Sequence, residues 1–220
     1  MTSDDMKRAQ ILGEAEAFVR EALAHDSSGH DWDHIARVRR LAVTIGRDEG
    51  ADVYVCELAA LLHDVADEKI AGDEATGLAR VRSWLEARSA EPDVVERVMA
   101  IIATMSFAGG NRPAMTSLEG QVVQDADRLD AIGAVGVARA FAFDATRGRP
   151  MYDPAIPPRE NMSREEYRLR QSPTLNHFYE KLLLLKDRLN TSRARQLAEE
   201  RHRFMLAFLD HFRAEWEGRA

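Results

Sequence analysis

The most informative segment of this 220-residue chain reads Leu61-Leu62-His63-Asp64-Val65-Ala66-Asp67-Glu68-Lys69. An apolar, helix-like run ends abruptly there at a histidine and an aspartate placed side by side. Burying His63 and Asp64 beneath an apolar run costs free energy unless a partner compensates them. A divalent metal ion is one such partner, because neutral imidazole nitrogen and carboxylate oxygen are both good ligands for first-row ions. A hydrogen bond between the two side chains at a helix end is the alternative.

The pattern on both sides of this segment is helical. Apolar residues recur at spacings of three and four along most of the chain, and the sequence lacks the alternation typical of strands. We therefore predict an all-α protein that forms a single domain over residues 1–220. The motif core is expected at about 29–135, with C-terminal helices at about 174–216 packing on it. The predicted helices cover about 5–24, 32–49, 52–66, 74–89, 92–105, 118–130, 131–144, 174–189 and 192–216.

Composition and charge narrow the class of protein. With 45% hydrophobic and 30% charged residues, the chain has an ordinary globular composition. A net charge of −7 argues against a nucleic-acid partner but allows a small anionic substrate, because a metal ion can reverse the field inside a cleft. The acidic N-terminus and the lack of an apolar stretch of ~20 residues predict a cytoplasmic protein without a membrane partner. The single cysteine, Cys56, lies in an apolar run and is expected in the core.

A second polar segment precedes the next predicted helix and reads Gly29-His30-Asp31-Trp32-Asp33-His34-Ile35-Ala36-Arg37-Val38. Asp31 or Asp33 can cap the helix by accepting from free N–H groups of its first turn. His34 shares the core-facing stripe with Val38, because the two are four residues apart. The spacing of His30 and His34 is also that of a zinc-protease pair. That reading is disfavoured because Asp31 replaces the usual Glu and Gly29 places His30 before the regular helix.

A third polar segment, Val122–Ala131, carries three aspartates on a predicted helix. Asp127 lies four residues from both Val123 and Ala131, which places it on an apolar stripe. The three aspartates cannot all face the same way on a helix, and Asp125 and Asp130 either meet solvent or orient ligands and Arg128. A surface acidic cluster is the alternative for the whole segment.

Together the three segments give the order His…His-Asp…Asp, and the sequence resembles the HD-domain phosphohydrolase superfamily. It is most similar to a small bacterial subgroup, whose motifs read here as Gly29–Val38, Leu62–Lys69, Asp125–Ala134, Met105–Phe107, His177–Leu182 and Ala198–His202. The resemblance implies an HD-type helical bundle with one divalent metal ion held by His34, His63, Asp64 and Asp127. Manganese is the leading metal, with Mg, Co, Ni, Fe and Zn as alternatives. Two-metal members need further histidines, and this chain has none between His63 and His177.

The resemblance also implies residues for catalysis and substrate binding. Asp67 and Glu68 match the two acids that follow the HD pair in the alarmone hydrolases, where they act around the attacking water. Lys69 follows them in the subgroup pattern. The candidates for binding phosphate are the cationic side chains near these motifs, Arg37, Arg128, His177 and Lys181, together with Lys69. For His177 and Lys181, ordinary surface polarity is the alternative.

The implied activity is metal-dependent hydrolysis of a phosphorylated small molecule, a nucleotide in this subgroup. Nucleoside triphosphate pyrophosphohydrolysis is the leading prediction for this activity. A nucleoside monophosphate phosphatase and a catalytically silent nucleotide- or metal-binding module are the alternatives. The proline-rich segment 146–163 is expected to be a long loop of the kind that forms lids. The helix residues Phe204, Phe208, Phe212 and Trp216 are spaced by four, which predicts a core face or, if exposed, a homodimer surface.

Overall fold

The fold was analysed in a computed structural model that describes residues 2–24, 31–105, 114–159 and 172–219. Within these ranges every regular element is helical and no strand occurs, which confirms the all-α prediction. The α-helices are α1 (Ser3–Ala22), α2 (Trp32–Glu49), α3 (Val53–Leu62), α4 (Glu68–Ala71), α5 (Glu74–Ala87), α6 (Pro92–Met105), α7 (Leu118–Asp130), α8 (Gly133–Ala145), α9 (Thr174–Glu180) and α10 (Ser192–Trp216). Two 3-10 segments cover His63–Ala66 and Leu182–Arg188.

Two predicted helices are each divided in the structure. The helix predicted over 52–66 ends at Leu62, and the chain tightens into a 3-10 turn at His63. The apolar pattern runs on through Val65 and Ala66 and so conceals this change. The helix predicted over 174–189 breaks at Lys181, whose φ of −146° is not helical. The helix predicted over 131–144 is α8, which begins at Gly133, because the backbone of Ile132 is extended and the φ of Gly133 is +79°.

The described chain forms two compact units, Met1–Ala126 and Asp127–Ala220, with the division inside α7. In the first unit, α3 is the central helix and packs against α1, α2 and α6. Its residues are buried on nearly every side, as expected of a helix with no solvent face. Cys56 is fully buried there, which confirms the predicted core thiol. The single-domain organisation over 1–220 stays a prediction.

The 3-10 turn at His63–Ala66 packs against α5 in the first unit. Gly77 on α5 makes this approach possible, because a Cβ built there would lie 2.7 Å from the Cα of Ala66. Asp73 caps α5 by accepting from the backbone N–H of Thr76 at 2.9 Å. The absence of a side chain at Gly77 therefore allows α5 to pack closely against the turn that carries His63 and Asp64.

The second unit combines α8, α9 and α10, and its apolar contacts centre on α10. Met205 and Leu209 are buried there, whereas Phe204 and Trp216 are each 47% exposed. Phe208 and Phe212 pack against Phe141 of α8. The predicted aromatic stripe is therefore part core and part surface. Formation of a homodimer through it stays a prediction.

The described part of the proline-rich loop, 146–159, is hydrogen-bonded to the first residues of α9. Pro150 and Met151 accept backbone hydrogen bonds from Thr174 and Leu175, both at 3.0 Å. Residues 160–163 lie outside the described residues. A lid role for the segment 146–163 stays a prediction.

Candidate metal centre

His34 enters the candidate centre from the first turn of α2. Asp31 is the N-cap of this helix, and its carboxylate accepts from the backbone N–H of His34 at 2.8 Å. The His34 side chain is 3% exposed, which confirms that it faces inward. The cap thus fixes both the start of α2 and the direction of its first inward histidine.

His63 begins the 3-10 turn, and only one of its two ring nitrogens makes a hydrogen bond with the described residues. Its Nδ1 lies 2.8 Å from the carbonyl oxygen of Ala60. Because a carbonyl only accepts, Nδ1 carries a proton, and in the neutral imidazole the lone pair then lies on Nε2. The Nε2 atom is buried and has no hydrogen-bond partner among the described residues. A backbone carbonyl that fixes the tautomer in this way is typical of metal-binding histidines.

Asp64 brings a carboxylate against both imidazoles. Its Oδ2 lies 3.4 Å from Nε2 of His34, and its Oδ1 lies 3.2 Å from Nε2 of His63. Asp64 is 5% exposed. When the His63 imidazole is neutral, this carboxylate oxygen faces a lone pair, and a cation bound by both groups relieves the repulsion. For His63, this geometry favours metal ligation over the direct hydrogen bond that was the alternative.

Asp127 lies in the last turn of α7, a single uninterrupted helix from Leu118 to Asp130. Its carboxylate belongs with the two imidazoles, because one ligand atom from each of His34, His63 and Asp127 lies within 4.8 Å of the others. This His/Asp cluster could hold a metal ion. Asp125 and Asp130 are 0% and 2% exposed, so the interpretation of this segment as a solvated acidic cluster is wrong.

Asp67 lies at the end of the turn that begins with the HD pair. It is half-buried, and its backbone N–H donates to the carbonyl of Asp64 at 3.0 Å. Its own carbonyl accepts from the backbone of Ile70 and Ala71, which starts α4. A short hydrogen-bonded segment therefore links Asp67 to the Asp64 backbone. Glu68 and Lys69 begin α4, and their side chains lie outside the described part of the chain.

Comparison with known proteins identifies the family. Residues 31–132 match the family described as HD domain. A Lactobacillus plantarum protein of known structure is 45% identical, with a TM-score of 0.81, over 95% of this chain and 98% of its own. An HD-superfamily hydrolase from Bacillus thuringiensis is also 45% identical, with a TM-score of 0.79, over 96% and 98% of the two chains. The chain belongs to the HD-domain phosphohydrolases.

A further relative of this HD protein is YpgQ of Bacillus subtilis, described as an uncharacterized protein. It is 41% identical over 206 residues, which cover 93% of each chain. The crystal structure of YpgQ in complex with ADP has a TM-score of 0.75 and covers 95% of this chain and all of its own. HD domains bind divalent metals, so the chain is a metal-dependent phosphohydrolase with a His/Asp cluster suited to the ion. No helix among the described residues combines the length and apolar character needed to cross a membrane.

The substrate-binding residues predicted for the HD enzyme occupy different parts of it. Arg37 lies three residues after His34 on α2 and is half-buried. The Arg128 guanidinium donates to the backbone carbonyl of Arg188. His177 and Lys181 are half-buried on and just after α9, where the Lys181 N–H donates to the His177 carbonyl at 3.0 Å. A role for each in phosphate binding stays a prediction.

Sequence reasoning missed two arginines that act on the end of α7. Arg139 of α8 pairs with the buried carboxylate of Asp130. Arg201 of α10 donates to the backbone carbonyl of Leu129. Arg201 belongs to the Ala198–His202 motif of the HD subgroup, so the motif was a signal that a residue there mattered. Its partner is a backbone carbonyl, which no pattern of side chains could have pointed to.

Proposed function

We propose that this HD enzyme is a nucleoside triphosphate pyrophosphohydrolase, which releases pyrophosphate and a nucleoside monophosphate. The observation that carries the proposal is the complex of YpgQ with ADP, because YpgQ is 38% identical in that structure over 95% of this chain. ADP presents a base, a sugar and a phosphoanhydride, which are also parts of a nucleoside triphosphate. The motif resemblance to the bacterial nucleotide-hydrolysing subgroup supports the same substrate class.

The metal ligands in this proposal are His34, His63, Asp64 and Asp127. The residues fit a divalent ion because the buried Nε2 of His63, which has no hydrogen-bond partner among the described residues, lies 3.2 Å from a carboxylate oxygen of Asp64. Two imidazoles and two carboxylates suit manganese, which is the leading metal, and also Mg, Fe, Co, Ni and Zn. When bound, the ion would polarise the phosphoryl group and lower the pKa of a coordinated water.

Asp67 is the proposed general base. Water attacks the α-phosphorus, the bond from that phosphorus to the bridging oxygen breaks, and pyrophosphate leaves with the electron pair. The carboxylate of Asp67 takes the proton released by the water, with Glu68 as its substitute. Asp67 suits this role because it is half-buried and its backbone is hydrogen-bonded to that of Asp64.

Cationic side chains in the proposal neutralise the phosphate charge. Arg37 comes from α2, one turn after His34, and Lys69 follows the two acids. Arg128, His177 and Lys181 are the remaining proposed substrate groups. Phosphoryl transfer depends mainly on positioning and on charge stabilisation, so loss of any one cation should lower kcat/KM without changing which bond is cleaved.

Product analysis tests the proposal. Metal-free protein reloaded with Mn²⁺ is incubated with nucleoside tri-, di- and monophosphates, and pyrophosphate and orthophosphate are measured separately. Pyrophosphate from triphosphates is expected. Orthophosphate from monophosphates would replace the proposal with the phosphatase alternative. Binding of nucleotide without any turnover would leave the silent binding module.

A matched pair of variants tests the role of Asp67 in this experiment. Asp67→Asn removes the proposed base, whereas Asp33→Asn changes an exposed acid on the helix that carries His34. Asp33→Asn is expected to retain wild-type turnover and Asp67→Asn to lose most of it. Equal turnover in the two variants would remove Asp67 from the mechanism.

A further inference from the structure

The metal ligand Asp127 lies close to a helix end, where backbone order is hardest to maintain. Helix α7 stops at Asp130, three residues later. The last four carbonyls of a helix have no donor within the helix, and terminal turns fray when these groups are left unsatisfied. A metal-binding carboxylate must be held to within about 0.5 Å of its productive position. The backbone N–H groups of Ala131 and Ile132 reach the carbonyls of Arg128 and Leu129 at 3.3 and 3.2 Å, and a charged donor from another helix would secure the turn further.

Two arginines from other helices meet the carbonyls of that turn. Arg201 of α10 donates to the Leu129 carbonyl, and the backbone N–H of Ile132 donates to the same oxygen at 3.2 Å. Arg139 of α8 donates to the Asp130 carbonyl at 3.4 Å and pairs with the Asp130 carboxylate. Cations at a helix C-terminus also interact favourably with the helix dipole.

Gly133 makes room for the Arg201 side chain. A Cβ at Gly133 would lie 2.9 Å from the Cγ of Arg201, which is closer than real Cβ contacts, and 3.0 Å from its Cβ, which is tighter than most of them. The φ of Gly133 is +79°, a value that also favours glycine. Burial lowers the pKa of Arg201 in spite of the nearby Asp130 carboxylate, so the guanidinium is poorly solvated there. The glycine and the arginine thus form one packed contact beside the end of α7.

We propose that Arg201, packed over Gly133, is a positioning residue that secures the last turn of α7 and thereby the carboxylate of Asp127. The inference rests on the proposed function, because it requires Asp127 to be a metal ligand. Arg201 acts through the Leu129 carbonyl, two residues after Asp127, and touches neither metal nor substrate in this role. The conformation of a metal ligand is thus controlled by a hydrogen bond between residues 72 positions apart.

The affinity of the full-length, metal-free protein for Mn²⁺ tests this role. Free Mn²⁺ is measured by electron paramagnetic resonance during titration. Arg201→Met keeps the apolar stem and removes the donor, and we expect it to bind Mn²⁺ about 10–100-fold more weakly. Arg201→Lys keeps a donor and should recover part of the affinity. Arg195→Met is the matched control, because Arg195 lies on the same helix and donates to the Leu189 carbonyl at 3.1 Å.

A melting experiment separates positioning from a merely structural contribution. The midpoint of thermal unfolding is measured for each variant with and without Mn²⁺. If Arg201 positions Asp127, the upward shift caused by Mn²⁺ becomes smaller in Arg201→Met but not in Arg195→Met. A lower midpoint without metal, combined with unchanged Mn²⁺ affinity, would overturn the inference. Should Arg201→Met not fold, Arg201→Leu replaces it, because leucine also lacks a donor, and wild-type affinity there is equally decisive.

Asp127→Asn distinguishes the two proposals. If this variant binds Mn²⁺ as the wild type does, the proposed ligand set itself is wrong. If Asp127→Asn loses Mn²⁺ while Arg201→Met keeps it, only the positioning role of Arg201 fails. Loss of affinity in both variants, with Arg195→Met unaffected, is the expected result.

Discussion

Replacing Gly77 with alanine should disturb the HD turn directly. The added Cβ would lie 2.7 Å from the Cα, 2.8 Å from the O and 2.9 Å from the C of Ala66. All three are backbone atoms, so no side chain can rotate away to relieve the contact. Because carbon atoms pack best at about 3.5 Å or more, α5 and the turn must separate by roughly 0.8 Å.

The free-energy change follows from two opposing effects. Overpacking of a rigid contact costs about 1–3 kcal/mol, and backbone against Cβ belongs at the upper end of that range. Alanine in place of glycine within a helix returns about 1 kcal/mol. The variant should therefore lose roughly 2 kcal/mol of unfolding free energy, which lowers the melting midpoint by about 4–8 °C for a chain of this size.

Gly13→Ala is the matched control for this change. Gly13 also lies inside a helix, α1, but a Cβ there would meet no atom within 4 Å. It should therefore stabilise the protein by about 1 kcal/mol, so the two variants differ by about 3 kcal/mol. Urea denaturation followed by circular dichroism measures both values.

The displacement of Ala66 should also move the metal ligands, because Ala66 ends the turn that begins with His63 and Asp64. A shift of about 1 Å in a reacting group can cost about 100-fold in rate. Turnover and Mn²⁺ affinity of Gly77→Ala should therefore fall while those of Gly13→Ala are retained. The reasoning is refuted if Gly77→Ala is as stable as Gly13→Ala and binds Mn²⁺ with wild-type affinity.

Three other side chains give tests of the site and of the fold. Asp67→Asn should keep Mn²⁺, measured by elemental analysis, while turnover falls about 10²–10⁴-fold; loss of the metal would contradict its role as base. Glu180→Gln should lower the unfolding free energy in urea by about 2 kcal/mol at neutral pH, because buried Glu180 accepts from Arg159 and Ser172. Burial raises the pKa of Glu180, but the bonds from Arg159 outweigh it and bring the pKa below its ordinary 4.5. The wild type should therefore lose this stabilisation as the pH falls below 4.5 through the lowered pKa, and a Glu180→Gln difference that persists in acid would contradict it. Burial raises the pKa of Cys56 to about 12, so a thiol reagent at mildly alkaline pH should label it only after unfolding.

Much of the fold was predictable because helical periodicity is a local property. The limits of α2 and α6 were predicted to the residue, and the inward direction of His34 followed from its place on the apolar stripe of α2. The end of α3 at Leu62 was not predictable, because Val65 and Ala66 continue the apolar pattern. A change from α-helix to 3-10 turn leaves that pattern intact.

The features of the candidate site also fall into those that the sequence predicted and those that it could not predict. The sequence by itself determined the all-α class and the polar residues that interrupt its apolar stripes, because both depend on spacing along the chain. Only the tertiary structure decided that Nε2 of His63 has no hydrogen-bond partner among the described residues, that Gly77 supports the HD turn and that Arg201 holds the Leu129 carbonyl. The last two features depend on atoms brought together from distant positions, and both involve backbone groups. Backbone groups are alike in every residue, so their partners are chosen by packing and not by sequence pattern.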